Sequence, residues 1–434
     1  MQHSLKQAAR PKVDVERIEL ANGLVLLLSE NHSIPSVSIN AIVKTGSRFE
    51  PDQKAGLASI AGALLDSGTT TRTSRDIAET IEASGGQLGT FGDYQSSGVV
   101  VTLLSKDLDL GLDVASDLLI NPTFPEDKVR QHIDRRMAQI KARLDVPRTE
   151  ASDAFNEIVF EGSPQHHPSI GYEDTVKTIT RSDVAGYFRS FFVPDNTMLA
   201  IVGDIDKSEV TRKVEAVFGR WERSGTSERF VAPEVPQPRR QTSPIEKFVP
   251  APKEQVNVII GHLGIARKNP DYYQLLVLDT ILGSSPGFTS RIPRILRDEQ
   301  GLAYTTFSNI TSSAGLDPGR FIAYIGTAPE NLNRAISGLR GEIARIVREP
   351  VTDEELETAK SYLTGSFVLR FQKNSQIAEF LLEAEVYGLG FDYLEKYPDF
   401  IRAVTVEDVS RVAQTYIDPE NLTTVVVGPA GKPA

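Results

Sequence analysis

The hydrophobic and polar pattern of the chain predicts strands over 23–29, 36–44, 97–104, 198–202, 256–263, 320–326 and 422–427. It predicts helices over 55–65, 74–84, 108–120, 126–144, 271–282, 330–347 and 353–371. Strands with long helices packed against one face give an α+β class. The expected architecture is two α/β sandwich domains, each a mixed or antiparallel sheet with helices on one face.

Two segments agree in register. Thr180-Arg181-Ser182-Asp183-Val184 leads through Pro194 and Asn196 to Gly203, and Thr405-Val406-Glu407-Asp408-Val409 leads through Pro419 and Asn421 to Gly428. In each copy Thr and the Asp three residues on form a capping box, an amphipathic helix follows, and an apolar strand closes the unit. This agreement predicts duplicated domains. Pro233, Pro236, Pro238, Pro244, Pro250 and Pro252 mark an extended, stiff linker between them. The expected boundaries are 1–222, 223–252 and 253–434.

A length of 434 residues exceeds one ordinary core, consistent with that division. The net charge of −11 argues against a nucleic-acid or anionic-membrane partner. Zero cysteines exclude disulfides and thiol chemistry. No apolar run reaches the roughly 18 residues of a membrane span. Met1 to Arg10 lack an apolar signal core, so for an exported protein the signal lies outside the given residues. The six histidines form no spaced pair on a helix face; His166-His167-Pro168 reads as a structural loop and 283–287 as a turn.

An ordered series of short matches runs from about Ile18 to Gly428. It includes Asn22-Gly23-Leu24-Val25, Gly46-Ser47-Arg48 with Glu50-Pro51, Gly56-Leu57-Ala58, Gly68-Thr69 and Asn121-Pro122. Ile281-Leu282-Gly283, Ser290-Arg291, Leu296-Arg297 and Gly301-Leu302-Ala303-Tyr304 follow in the second half. Together they resemble the pitrilysin/insulinase family of zinc metalloproteases. In that family a Gly-Leu-Ala lead-in opens a helix carrying His-x-x-Glu-His, with two zinc ligands and a general base. The matching positions here are Ser59, Gly62 and Ala63. The family's third ligand, a Glu roughly 76 positions on, matches Gln139. The resemblance therefore implies a chain with no zinc of its own, not an enzyme alone.

In two-subunit relatives the chain without zinc supplies an Arg/Tyr pair to its partner, and the matching residues here are Arg297 and Tyr304. The hydroxyl suits an oxyanion and the guanidinium a peptide carbonyl. The plain alternatives are an Arg297 ion pair with Asp298 or Glu299 and a half-buried Tyr304 at a strand start. Thr90, Phe91 and Gly92 lie near the family's peptide-binding edge strand and read as packing residues. The resemblance implies that the chain forms half of a clamshell enclosing peptides, in a heterodimer with a homologous catalytic subunit that carries the zinc, or else in a homodimer. The other reading is a binding or structural protein like the inactive core subunits of the respiratory cytochrome bc complex. Analogy with exported bacterial relatives favours the periplasm over the cytoplasm.

Overall fold

The computed structural model describes residues 13–222, 229–285 and 289–429, so the Met1 to Arg10 segment, part of the linker and part of the 283–287 turn lie outside the described residues. The first half builds a six-stranded sheet from β1 (Glu16–Glu19), β2 (Val25–Glu30), β3 (Ser36–Val43), β4 (Gln87–Gly92), β5 (Ser97–Leu104) and β6 (Thr197–Gly203). Their order is β1-β2-β6-β3-β5-β4. The second half builds a five-stranded sheet from β7 (Ile245–Pro250), β8 (Val256–Leu263), β9 (Thr305–Asn309), β10 (Arg320–Thr327) and β11 (Thr423–Gly428). Its order is β7-β11-β8-β10-β9. Removing β1 leaves the same order twice, and in each sheet one pair is parallel (β2 with β6, β7 with β11) while the rest are antiparallel. The duplication read from the sequence is a duplication of topology.

The capping boxes form as expected. The Thr180 hydroxyl accepts from Asp183 N–H and the Thr405 hydroxyl from Asp408 N–H, opening helices Arg181–Phe191 and Val406–Tyr416. Alternate residues of β3 and β5 (Ile39, Ala41, Val99, Val101) enter a core with the helices of their own half.

The opposite face of each sheet is covered from the other half. Helix Asn374–Tyr387 buries Ala378, Leu381 and Leu382 in a cluster that includes Met198, Ala200 and Val202 of β6. Helix Pro147–Val159 buries Ala151, Ala154 and Phe155 with Ile259, Ile322, Val425 and Val427 of the second sheet. β6 and β11 are thus buried on both faces, which is why they read as continuous apolar runs. Polar contacts fix the exchange: Asn374 Nδ2 donates to the Ser36 carbonyl at 3.1 Å, and Asn31 Nδ2 to Asn374 Oδ1 at 2.7 Å.

The stretch expected as linker is tied down. Residues 229–244 lack regular structure, yet Gln237 donates to Asp317 at 3.1 Å and Gln241 to Thr423 at 2.6 Å. Residues 245–250 form β7, so the second sheet begins inside the 223–252 span. A strand ending in Pro250 is tolerated there because β7 is an edge. Among the described residues, no helix is long and apolar enough to cross a membrane.

Candidate functional site

The helix Leu57–Ala63 holds the first three positions of interest. Gly56 precedes it at φ 103°, where a side chain would be strained and a Cβ would meet the Ile170 carbonyl oxygen at 2.9 Å. The buried Glu50 carboxyl caps the helix, accepting from Gly56 N–H at 2.8 Å and Ala58 N–H at 2.7 Å. Burial raises the Glu50 pKa to about 8 despite these bonds. His167 Nδ1 lies 3.7 Å from Glu50 Oε1, and burial lowers the pKa of that imidazole.

Small residues let this helix press onto the edge strand β4. A Cβ on Gly62 would lie 2.3 Å from the Phe91 carbonyl oxygen, and one on Gly92 would lie 2.5 Å from the Ala58 carbonyl oxygen. The two glycines are reciprocal: each leaves room for the other element's backbone. The Phe91 carbonyl and Gly92 therefore pack the helix seat, and Thr90 Oγ1 lies 3.5 Å from the Ala63 carbonyl at the helix end. The second half repeats the arrangement, with a Cβ on Gly283 only 2.4 Å from Ser308 N of β9.

The residues present do not fit zinc. Ser59 is buried and its hydroxyl donates to the Gly56 carbonyl at 3.2 Å, within its own helix. Gly62 has no room for a carboxylate without displacing β4, and Ala63 offers no donor atom. Gln139 is exposed on helix Glu126–Leu144. One turn earlier on that helix stand Arg135 and Arg136. Arg135 acts electrostatically on Asp66, just beyond the Ser59 helix, while burial lowers the Arg136 pKa. Both side chains are cationic and cannot ligate a metal ion, so this turn of the helix offers no substitute for the missing carboxylate. The Gly62–Gly92 contact has no signal in the sequence, because it depends on which elements meet.

Arg297 and Tyr304 are brought together. Residues Pro293–Glu299 are wound as a π-helix, Gly301 follows at φ 61° as the left-handed terminator, and Tyr304 immediately precedes β9. Leu296 and Leu302 are buried, and Thr327 Oγ1 donates to the Leu302 carbonyl at 2.6 Å. The turn is thereby anchored on both sides. The Arg297 guanidinium carbon lies 5.7 Å from the Tyr304 ring centre, within cation–π range. Arg297 Nε is also 4.0 Å from Asp298 Oδ1, the ion pair foreseen as a plain alternative. Tyr304 is 83% exposed, so the half-buried alternative does not hold.

Known proteins resemble this chain over nearly its whole length. Residues 25–170 match the family model described as insulinase (peptidase family M16), and residues 178–363 match the model described as the peptidase M16 inactive domain. An uncharacterized zinc protease of Bacillus subtilis, YmxG, is 25% identical over 417 residues, 96% of this chain and 99% of that one. An uncharacterized zinc protease of Streptomyces coelicolor is 28% identical over 404 residues, 92% of this chain and 86% of that one. Among solved structures, a peptidase M16 inactive domain from Pseudomonas fluorescens shares the fold with a TM-score of 0.88 at 23% identity, covering 97% of this chain and 100% of that one. A chain of complex III2 from Candida albicans shares it with a TM-score of 0.76 at 18% identity, covering 96% of each chain.

Proposed function

This chain belongs to the insulinase family of peptidases (M16), and we propose that within it the chain is the non-catalytic subunit of a two-chain zinc peptidase. One observation carries the reading. The helix at the zinc positions is packed shut on β4 by Gly62, while Arg297 and an exposed Tyr304 stand together on an anchored turn. A tyrosine 83% exposed next to a guanidinium has little structural reason to be there. It suits a surface completed by another chain.

In this reading the partner is a homologous subunit with an intact His-x-x-Glu-His helix, and zinc resides there. Tyr304 donates a hydrogen bond from its hydroxyl to the oxygen of a peptide carbonyl under attack, stabilising negative charge as it develops. Arg297 holds a neighbouring backbone carbonyl with a fork that stays charged at any working pH. The guanidinium over the phenol ring orders the tyrosine before substrate arrives, which lowers the cost of fixing it in the transition state. Neither residue attacks the substrate, so the chain alone cleaves nothing.

The test is a pull-down of tagged protein from its native cell extract, assayed for chelator-sensitive peptide cleavage. Activity that copurifies with a second chain of similar size supports the reading. A stable partner without cleavage moves the chain to the other reading, a structural subunit, for which the fold likeness to a complex III chain is the supporting observation.

A further inference from the structure

Where the two halves meet, a cavity of about 870 Å³ opens between β3, the end of β4, the loop 311–316 and helix Asn374–Tyr387. That volume is in the range of small-molecule and short-peptide sites. Arg267 lines it and is itself 6% exposed. Its guanidinium carbon lies 3.8 Å from the Tyr272 ring centre, so one face of the fork is stacked and fixed. Its backbone N–H donates to the Gly315 carbonyl at 2.8 Å, which fixes the base of the side chain.

The polar atoms of this guanidinium are under-used. A guanidinium carries five N–H donors. Among the described residues the side chain makes one hydrogen bond, from Nη2 to the Tyr393 hydroxyl at 3.2 Å. Glu383 stands 4.0 Å from Nε, beyond hydrogen-bond distance. Burial disfavours the charge, but the surrounding tyrosines and Glu383 outweigh it and raise the pKa further. A permanently charged, nearly buried fork with spare donors is the arrangement that reads a carboxylate in bidentate geometry.

The other charges decide which carboxylate-bearing molecule fits. Lys44 on the cavity wall adds a second cation, whereas Asp93, Glu379 and Glu383 contribute three carboxylates. A multiply charged anion such as phosphate is repelled by that set. A peptide carboxylate carries a single charge and is repelled less, and the peptide also brings backbone N–H donors from which Glu379 and Glu383 can accept. Phe91, Leu382 and Val386 supply apolar wall for its side chains. We propose that this cavity is a peptide-binding subsite in which Arg267 receives a peptide carboxylate, either the free C-terminus or an Asp/Glu side chain.

The site lies within this chain, so the test needs neither a partner nor cleavage, and it can fail while the subunit reading stands. The purified full-length chain is titrated, by fluorescence anisotropy, into a fluorescein-labelled hexaalanine with a free C-terminus. The same peptide amidated, and the amidated peptide with one internal Glu, serve as the other two arms. Binding of the free acid at least tenfold tighter than the plain amide assigns the C-terminus; tight binding restored by the internal Glu assigns the side chain. Arg267→Gln, with its melting temperature checked against the parent, should erase the difference. Because Arg267 is buried, Ser312→Trp on the exposed loop is the second variant; it places an indole in the cavity and should weaken binding at least tenfold. Equal affinity for acid and amide forms, no binding of any arm, or unchanged affinity in Ser312→Trp would each overturn the subsite.

Discussion

The Arg297 guanidinium carbon sits 5.7 Å from the centre of the Tyr304 ring, and the two residues leave opposite ends of one anchored turn. The π-helix widens the last turn, so Gln300 N–H bonds to the Ile295 carbonyl and Leu302 N–H to the Leu296 carbonyl. Gly301 then reverses the chain. Both side chains consequently point from one place rather than along a helix face.

Removing the Tyr304 hydroxyl tests its role. Tyr304→Phe keeps the ring and its cation–π contact, and the hydroxyl is too exposed to support the fold. Assembly with the catalytic subunit and the melting temperature should be unchanged, while turnover of the complex falls by about 10²–10³. Turnover equal to the parent's, measured on the purified complex, removes the oxyanion role.

Restoring the family's residues should not restore zinc. In Ser59→His/Gly62→Glu/Ala63→His, the Glu side chain starts from a Cβ only 2.3 Å from the Phe91 oxygen, so β4 must move. Even Gly62→Ala should destabilise by about 1–3 kcal/mol, the usual cost of overpacking, read from urea unfolding. The triple variant should bind no zinc at stoichiometric metal by equilibrium dialysis. A stoichiometric, chelator-sensitive metal in that variant would show that the helix seat yields more easily than its backbone contacts imply.

The helix Leu57–Ala63 is legible in the sequence, but its reason for being blank is not. Ser59, Gly62 and Ala63 were legible as lost ligands because they fall at fixed spacing after Gly56-Leu57-Ala58. What Gly62 does instead needs the strand it touches, and Gln87–Gly92 has two glycines and no β-branched run to announce itself. The same holds for Ile245–Pro250, hidden among prolines. Helix Asn374–Tyr387 escaped for another reason: it contacts both halves, so its apolar residues are not confined to one stripe. The amphipathic helices with capping boxes, by contrast, were legible at both copies. Arg297 and Tyr304 were paired by resemblance alone; their contact depends on the π turn and Gly301.

Glu50 makes stability depend on pH in a defined direction. Its folded pKa is raised to about 8 from an ordinary 4.5, so the native chain keeps a proton that the unfolded chain releases. Its contribution is complete below about pH 4.5 and is lost as pH rises through 8. Asp279, fully buried and raised to about 7, acts in the same sense over a similar window. Glu50→Gln should therefore flatten part of the fall in unfolding free energy between pH 5 and pH 8, leaving the part due to Asp279. Parallel pH profiles for parent and variant, from chemical unfolding at each pH, rule out this linkage.

The halves should unfold as one unit, with Asp317 as a principal tie. Its carboxylate accepts from Arg48 Nε at 3.1 Å and Nη2 at 2.9 Å, from Tyr94 Oη at 2.9 Å and from Gln237 Nε2 at 3.1 Å. Arg48 and Tyr94 belong to the first half, Asp317 to the second, and Gln237 to the stretch between. The Asp317 side chain is 4% exposed and that of Arg48 15%, so removing one partner leaves a charge with little access to water. Asp317→Ala should cost about 3–5 kcal/mol, the range for breaking a buried pair, not the roughly 0–1 kcal/mol of a surface one. Unfolding should nevertheless remain a single transition by fluorescence and circular dichroism. Each sheet has one face covered by a helix from the other half, so neither core survives separation. Two resolved transitions in the variant would mean that the exchanged helices can be withdrawn without unfolding the sheets they cover.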